Sequence, residues 1–300
     1  MDTLDLLRSF LRVAELGSFT RAADSLGLPK ASVSTAVQRL EARLGTQLLH
    51  RTTRRVRLTA DGETFYPRAR EQLDEMEELH GMFQQGDAPL RGRLRVDMPT
   101  GMARLLMPQL PGFLAKHPRL EIELSGTDRR VDVVREGFDC VLRVGALDDN
   151  TLIARPLGAL RIVNCASPAY VAAHGMPRGP DDLAAAHILV HYVGTLGQRP
   201  PGFEYHDGQG YRWLPMAGPV TVNNGDAYVQ AALAGLGIIQ VPVHGVRPLL
   251  ESGALVEVAP HLSAEPMPVT LLYAQRRRLP RRVSLFMDWL ADRVRPHLQP

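Results

Sequence analysis

The chain has 300 residues, 45% of them hydrophobic and 22% charged, with a formal net charge of +3. That length suggests about two domains, and the composition excludes wholesale disorder. No apolar run approaches the roughly 18 residues of a membrane-spanning helix. The charge is uneven: residues 1–60 hold ten Arg/Lys against five Asp/Glu, residues 61–90 two against eight, and the rest is nearly balanced. A basic head, an acidic neck and a neutral body point to separate tasks. The two cysteines, Cys140 and Cys165, lie in apolar runs. They read as buried small hydrophobes rather than as metal ligands or a disulfide. The start, MDTLDLL, has neither a positive n-region nor a cleavage site, so no export signal and a cytoplasmic location are expected.

In the head, Leu4, Leu7, Phe10, Leu11 and Ala14 recur at helical spacing. That helix should end near Gly17. Ser18 is a good N-cap for a second helix, Phe19 to Leu26, which Gly27 stops. Pro29 suits the entry to a third helix, whose apolar positions Val33, Ala36, Val37, Leu40 and Leu44 set its span at Lys30 to Leu44. Ala23 at the crossing, Gly27 in the turn, and Ala22, Leu26, Leu28, Val33 and Ala36 as anchors fill every slot of a helix-turn-helix. Gly45 ends the third helix. Leu48 and Leu49 then anchor a short strand, and Val56, Arg57 and Leu58 alternate in, out, in as a second one. Arg51 to Arg57 holds four arginines in seven residues. A hairpin of arginines beside a recognition helix is a wing, suited to phosphates or a minor groove.

In the neck, Thr59 caps a helix supported by Glu63. Phe65, Tyr66, Ala69, Leu73, Met76, Leu79 and Phe83 form a stripe at helical spacing, opposite an acidic face. Pairing with the same helix of a second subunit is the simplest way to bury that stripe. Pro67 should bend this helix or loosen its first turns. Residues 86–89 read as a hinge.

The body alternates short apolar runs with helical segments. GRLRVDMP, RLEIELSG, DCVLRVG, RIVNCAS, HILVHY, PVTVNN, IIQVP, ALVEVAP and PVTLLYAQ read as strands. RLLMPQLPGFLAKHP, RRVDVVREG, PAYVAAHG, GDAYVQAALAGLG, VRPLLESG and RRVSLFMDWLADRVR read as helices. The alternation means open α/β sheets, and the length supports two subdomains. In such sheets ligands bind beyond the carboxyl ends of strands, where helix starts present free N–H groups. Thr100, Gly101 and Met102 form one such junction, and Asn223, Asn224 and Gly225 another.

The order winged helix-turn-helix, linker helix, α/β body resembles the LysR-type transcriptional regulators. The carrying stretches are ELGSFTRAADSLGL (15–28), SVSTAVQRLEARLGTQLLHRTTRRVRLTADG (32–62), EGFDCVLRVG (136–145) and NCASPAYVAAHG (164–175), the last two nearest the CrgA-like branch. The likeness covers essentially the whole chain. It implies an α plus α/β fold: a winged helix-turn-helix (1–59), a linker helix and hinge (60–88), and an effector domain (91–300) like type 2 periplasmic binding proteins. One subdomain would span about 91–163 plus 269–300, the other about 164–268. It implies double-stranded DNA as partner, with a dyad-symmetric operator met by Ser18, Phe19 and Thr20, by Lys30, Ala31, Ser34, Thr35, Gln38 and Arg39, and by Arg51, Thr52, Arg54 and Arg55 of the wing. Relatives often carry Arg-Gln where this chain has Thr35-Ala36, so base preference should depart from theirs at Thr35. The resemblance further implies a homodimer through the linker helix, with tetramers common, RNA polymerase as a further partner, and a small-molecule effector. The effector would lie between the subdomains, facing the two junctions together with Thr127, Asp128, Arg143, Val144, Gly145 and Thr195. Arg143 would suit an organic anion, or would instead bridge to an acid such as Asp128 or Asp139.

An enzyme is the main rival. G-x-S-x-G, G-x-G-x-x-G, a P-loop, S-x-x-K and H-E-x-x-H are all absent. His187 and His191 stand four apart in a run that reads as strand, where that spacing does not pair ligands. No metal or cofactor is expected. A solute-binding protein would share the body but has no use for an arginine wing, and a DNA-packaging protein has none for the body.

Overall fold

A computed structural model describes residues 2–51, 56–81, 90–147, 151–275 and 279–299. The head begins with α1 (Thr3–Leu16), closed at its start by a reciprocal capping box between Asp2 and Asp5. It continues with α2 (Phe19–Leu26), α3 (Lys30–Leu44), and the antiparallel pair β1 (Leu49–Arg51) and β2 (Val56–Leu58). Gly17, Gly27 and Gly45 each end a helix with positive φ, the conformation a residue without Cβ adopts freely. At Gly27 the chain reverses tightly: the amide of Leu28 returns to the Ala23 carbonyl at 3.0 Å.

Helix α4 (Ala60–Gly81) starts on the Thr59 hydroxyl, which accepts from the Gly62 amide at 2.9 Å. It runs through Pro67 as one helix. Its stripe departs from the expectation. Tyr66, Ala69 and Leu73 are buried in the head's own core, and Phe65 packs on it. The ring of Phe10 lies 5.6 Å from Phe65 and 6.4 Å from Tyr66. Each large apolar side chain buried this way stabilises the head by roughly 1.5–3 kcal/mol, so the first half of α4 needs no partner subunit. Leu79 remains 55% exposed. Phe83 and the hinge at 86–89 lie outside the described residues.

The chain divides into two compact units. The first groups Met1–Gly92 with Asp132–Gly137 and Arg276–Ser284. In it Arg70 of α4 donates to the Gly137 carbonyl and lies 3.7 Å from Glu15, while Asp74 pairs with Arg282. These buried charges each find a partner, as burial requires.

The second unit holds most of the body. In chain order the elements of the body are β3 (Arg91–Met98), α5 (Thr100–Leu106), α6 (Leu110–Lys116), β4 (Arg119–Gly126), β5 (Cys140–Val144), β6 (Leu152–Leu160), β7 (Ile162–Ala166), α7 (Pro168–His174), α8 (Pro180–Ala186) and β8 (His191–Tyr192). There follow β9 (Phe203–His206), β10 (Tyr211–Leu214), β11 (Thr221–Val222), α9 (Gly225–Leu233), β12 (Ile239–Pro242), α10 (Val243–Glu251), β13 (Val256–Glu257), β14 (Met267–Ala274) and α11 (Arg281–Val294). One subdomain is a five-stranded sheet ordered β4-β3-β5-β14-β6, with β3 and β5 parallel and β14 antiparallel to both its neighbours. Phe113 of α6 packs on Phe286 and Trp289 of α11, ring centres 5.5 and 5.1 Å apart. The other subdomain is built on β12-β7-β13, with the parallel pair β8–β11 and the hairpin β9–β10. The chain crosses between the two at the β6–β7 junction and returns through β14.

RRVDVVREG, expected as a helix, forms one hydrogen-bonded turn over residues 133–137. Asp132 caps it by accepting from the Arg135 amide at 2.9 Å. Three valines disfavour propagation, and Gly137, with φ +71°, ends it. Cys140 and Cys165 are buried free thiols; burial raises the pKa of both, that of Cys165 to about 12. No described helix is long and apolar enough to cross a membrane.

Candidate functional site

The head presents one polar helix face. On α3, Val33, Ala36, Val37 and Leu40 are buried, while Lys30, Ala31, Thr35, Gln38 and Arg39 are exposed and Ser34 is half-buried. Ala31, Thr35 and Gln38 fall at i, i+4 and i+7, which places them on one face. The side chains of Ala31 and Thr35 are short, so that part of the face allows close approach, while Gln38 reaches further out. Thr20 is exposed at the start of α2. Two further expected DNA-facing residues, Ser18 and Phe19, are half-buried and also serve the head. The Ser18 hydroxyl caps α2 at 3.4 Å from the Arg21 amide, and the Phe19 ring packs against the core. Leu28, expected as an anchor, is instead 40% exposed in the turn before α3. The tight turn carries it outward, while Leu26 packs on the core as expected.

The hairpin is fastened to that helix by Glu41. Its Oε1 accepts from the amides of Leu48 and Leu49 at 2.9 and 3.2 Å. From the other side, the Val56 amide donates to the Gly17 carbonyl. Arg57 is exposed on β2, directly across from exposed His50 on β1. His50 is a polar neighbour that sequence reading passed over; the signal was its alternation with buried Leu49. The backbone of Arg51 lies in β1, and Thr52, Arg54 and Arg55 lie outside the described residues.

In the body, three of the expected ligand-facing residues converge through one carboxylate. Asp128 Oδ1 accepts from the Thr100 amide at 3.0 Å, and its Oδ2 from the Gly225 amide at 2.6 Å. Thr127 stands beside it, its amide bound to the Met98 carbonyl. Gly101 follows Thr100 at the start of α5. Asn224 caps α9, its Oδ1 accepting from the Ala227 amide at 2.8 Å, while Asn223 is exposed. The others stand apart. The Met102 side chain is buried in its subdomain's core. Thr195 is exposed in the turn after β8, its amide bound to Gln198. Val144 and Gly145 continue β5 to its edge, where the Gly145 amide meets the Pro268 carbonyl at 2.8 Å.

Arg143 is already neutralised. Its Nη1 lies 3.1 Å from Oδ2 of Asp97 on the adjacent strand β3, and not at Asp128 or Asp139. Asp139 is occupied elsewhere, accepting from the Arg95 amide at 2.8 Å. Burial raises the Asp97 pKa, opposed by Ser125 and Arg143. A buried pair of this kind fixes geometry more than it adds stability.

Sequence reading also passed over His244. It opens α10 after β12, a third strand-end and helix-start junction like the two singled out. Its Nε2 lies 4.0 Å from where a Cβ on Gly101 would stand. Burial, aided by His297 and Arg247, pulls its pKa down to about 4, so it is neutral at physiological pH. Arg104 of α5 and Asp226 of α9 pair at 2.5 Å, joining the two subdomains nearby. Burial and the Asp128 charge raise the Tyr192 hydroxyl pKa to about 12. His187 lies 3.3 Å from the Tyr170 hydroxyl through Nδ1 and 3.8 Å from Asp182, both within its own subdomain.

Residues 4–63 match the family model described as bacterial regulatory helix-turn-helix protein, lysR family, and residues 87–295 match the LysR substrate binding domain. The chain is 51% identical to the HTH-type transcriptional regulator YhjC of Escherichia coli K12, over 99% of this chain and 100% of that protein. It is 36% identical to an HTH-type transcriptional repressor of Pseudomonas aeruginosa, over 97% and 92%. Among solved structures it is similar to CrgA, a LysR-type transcriptional regulator from Neisseria meningitidis, with 30% identity, TM-score 0.60, and coverage of 97% and 98%.

Proposed function

The chain belongs to the LysR family of DNA-binding transcriptional regulators, which carry an effector-binding domain and are not enzymes, and from that premise we propose how it reads and regulates its target. Helix α3 enters the major groove of a dyad-symmetric operator with Lys30, Ala31, Ser34, Thr35 and Gln38 leading. Arg39, Thr20 and the wing residues Arg51, Thr52, Arg54 and Arg55, joined by Arg57 and His50, meet the backbone. The single observation that carries this reading is the exposed Ala31–Thr35–Gln38 face set over buried Val33, Ala36, Val37 and Leu40. Charge supports it: the basic excess of the head is concentrated in the wing, and phosphate contacts supply sequence-independent affinity. Base edges are then read by short polar side chains.

Two subunits pair through the exposed end of α4, and dimers associate further into tetramers. A small organic effector enters the crevice bounded by Thr100, Asp128, Gly225 and His244 and changes the spacing of the paired heads. Transcription responds through RNA polymerase in the cytoplasm. Footprinting on the DNA flanking the gene, with and without a metabolite panel, tests both halves. A protected, symmetric site whose pattern shifts with one metabolite supports the reading; no protection removes it. Arg54→Ala with Arg55→Ala should weaken binding to every sequence and flatten its salt dependence, by a slope of roughly 1 for each phosphate no longer neutralised. Full affinity with an unchanged slope overturns the wing assignment.

A further inference from the structure

The junction of the two subdomains contains a carboxylate of its own. Asp128 follows β4 in the five-stranded subdomain, yet it is hydrogen-bonded to the backbone of both subdomains. Its Oδ1 takes the Thr100 amide at 3.0 Å, and its Oδ2 takes the Gly225 amide, the first of α9, at 2.6 Å. The Thr100 hydroxyl lies 3.4 and 3.3 Å from the two oxygens. A Cβ on residue 225 would stand 3.6 Å from Oδ2, so the approach is close. The only other polar tie described between α5 and α9 is the Arg104–Asp226 pair, with side chains 64% and 51% exposed. Exposed pairs of that kind contribute little, whereas a charged acceptor on free N–H groups at a helix start is a strong interaction.

We propose that Asp128 is a built-in latch: its carboxylate fills the place where a free carboxylate would meet the start of α9, holds the two subdomains together without effector, and must be exchanged before such a ligand binds. The proposal rests on the crevice reading above only for where a ligand enters. A tethered carboxylate acts at a high effective concentration, so simple acids do not compete with it in the native chain. Removing the side chain frees both N–H donors and opens the place to a solute of the same chemistry. The substitution Asp128→Asn keeps the shape but turns an NH₂ toward one donor, so one tie is lost.

The test is hydrogen exchange on the full chain at the Thr100 and Gly225 amides, for the native protein, Asp128→Ala, Asp128→Asn and Asp226→Ala, with formate as probe and chloride at equal ionic strength as control. Exchange at both amides should rise about tenfold or more in Asp128→Ala, because a charge-assisted bond is lost at each. It should rise at one amide in Asp128→Asn and stay near native in Asp226→Ala. Formate, and not chloride, should slow exchange again in Asp128→Ala while leaving the native protein unchanged. The latch is overturned by native-like exchange in both Asp128 variants, by a rise that formate does not reverse, or by an equal rise in Asp226→Ala. If Asp128→Ala does not fold, Asp128→Asn decides by exchange alone: a rise at one of the two amides supports the latch, and native-like exchange at both overturns it. A metabolite panel without response would remove the effector reading and leave the latch standing; a failed latch leaves the footprint result untouched.

Discussion

Acid should destabilise this protein through His244, and the size of the effect follows from the structure. Neither ring nitrogen has a hydrogen-bond partner among the described residues, and burial holds the pKa near 4. In the unfolded chain the same imidazole titrates at about 6.5. Between those values the unfolded state binds more protons, so stability rises with pH across the window. The contribution is complete above about pH 6.5 and is lost as pH falls toward 4. At about 1.36 kcal/mol per pKa unit, the gap limits the loss to roughly 3 kcal/mol. The perturbation is His244→Phe, which fills the site and does not titrate. Denaturant unfolding of native and variant proteins at about pH 7 and pH 4 gives four free energies, and the difference of differences isolates the imidazole. His187 and His191 also have lowered pKa values through burial. They remain in both proteins and cancel. The variant should lose up to about 3 kcal/mol less than the native chain on acidification. Equal losses would refute the buried, neutral imidazole.

Gly62→Ala should destabilise the head by roughly 1–3 kcal/mol or more, seen by thermal unfolding, because the new Cβ would stand 2.1 Å from the Leu48 carbonyl oxygen. Arg57→Ala should lower the salt slope of DNA binding by about 1 without changing base preference; a change of preference at constant slope would reassign it to base reading. Thr35→Ala should do the reverse in a binding-site selection assay, altering preference and leaving the slope.

Legibility followed the range of the interactions involved. Helices α2 and α3 and the turn between them were readable to their bounds, Phe19–Leu26 and Lys30–Leu44, because caps, glycines and apolar spacing act within a few residues. Strand β6 was missed because it carries Pro156 and Gly158, which argue against a strand in sequence. It tolerates them at the edge of the sheet, where β14 is its neighbouring strand and, among the described residues, only a single bridge from Ala159 to Gln299 meets its other side. The Asp128–Gly225 bond joins residues 97 apart in the chain, and nothing local marks it. For Arg143 an acid partner was legible but not which acid, for a similar reason: the register of β3 against β5 sets Asp97 beside it, and register is not written in either strand alone. The stripe on α4 was read correctly as apolar, but its neighbour was not, since Phe10 lies 55 or more positions away in sequence from Phe65 and Tyr66.

That last correction narrows the pairing surface to one testable position. With Phe65, Tyr66, Ala69 and Leu73 used by the head, Leu79 is the stripe residue that stands exposed among those described. A single head with so few basic residues on α3 should bind DNA weakly, on the order of 10⁻⁴–10⁻⁶ M where phosphate contacts dominate. Joining two heads at the spacing of a symmetric site raises avidity by about 10²–10⁴ without any new contact. Under the pairing proposed above, the second head is what would turn a weak reader into an operator-specific one. Leu79→Asp places a charge in that seam, where burial of an unpaired carboxylate is unfavourable by several kcal/mol. Sedimentation should show dissociation of the pair, operator affinity should fall by about the avidity factor, and the salt slope should fall by about half as one head leaves its phosphates. Binding to an isolated half-site should stay unchanged, since each head's face is untouched. A variant that remains paired and binds the full operator as the native chain does would show that the subunits join elsewhere than along α4.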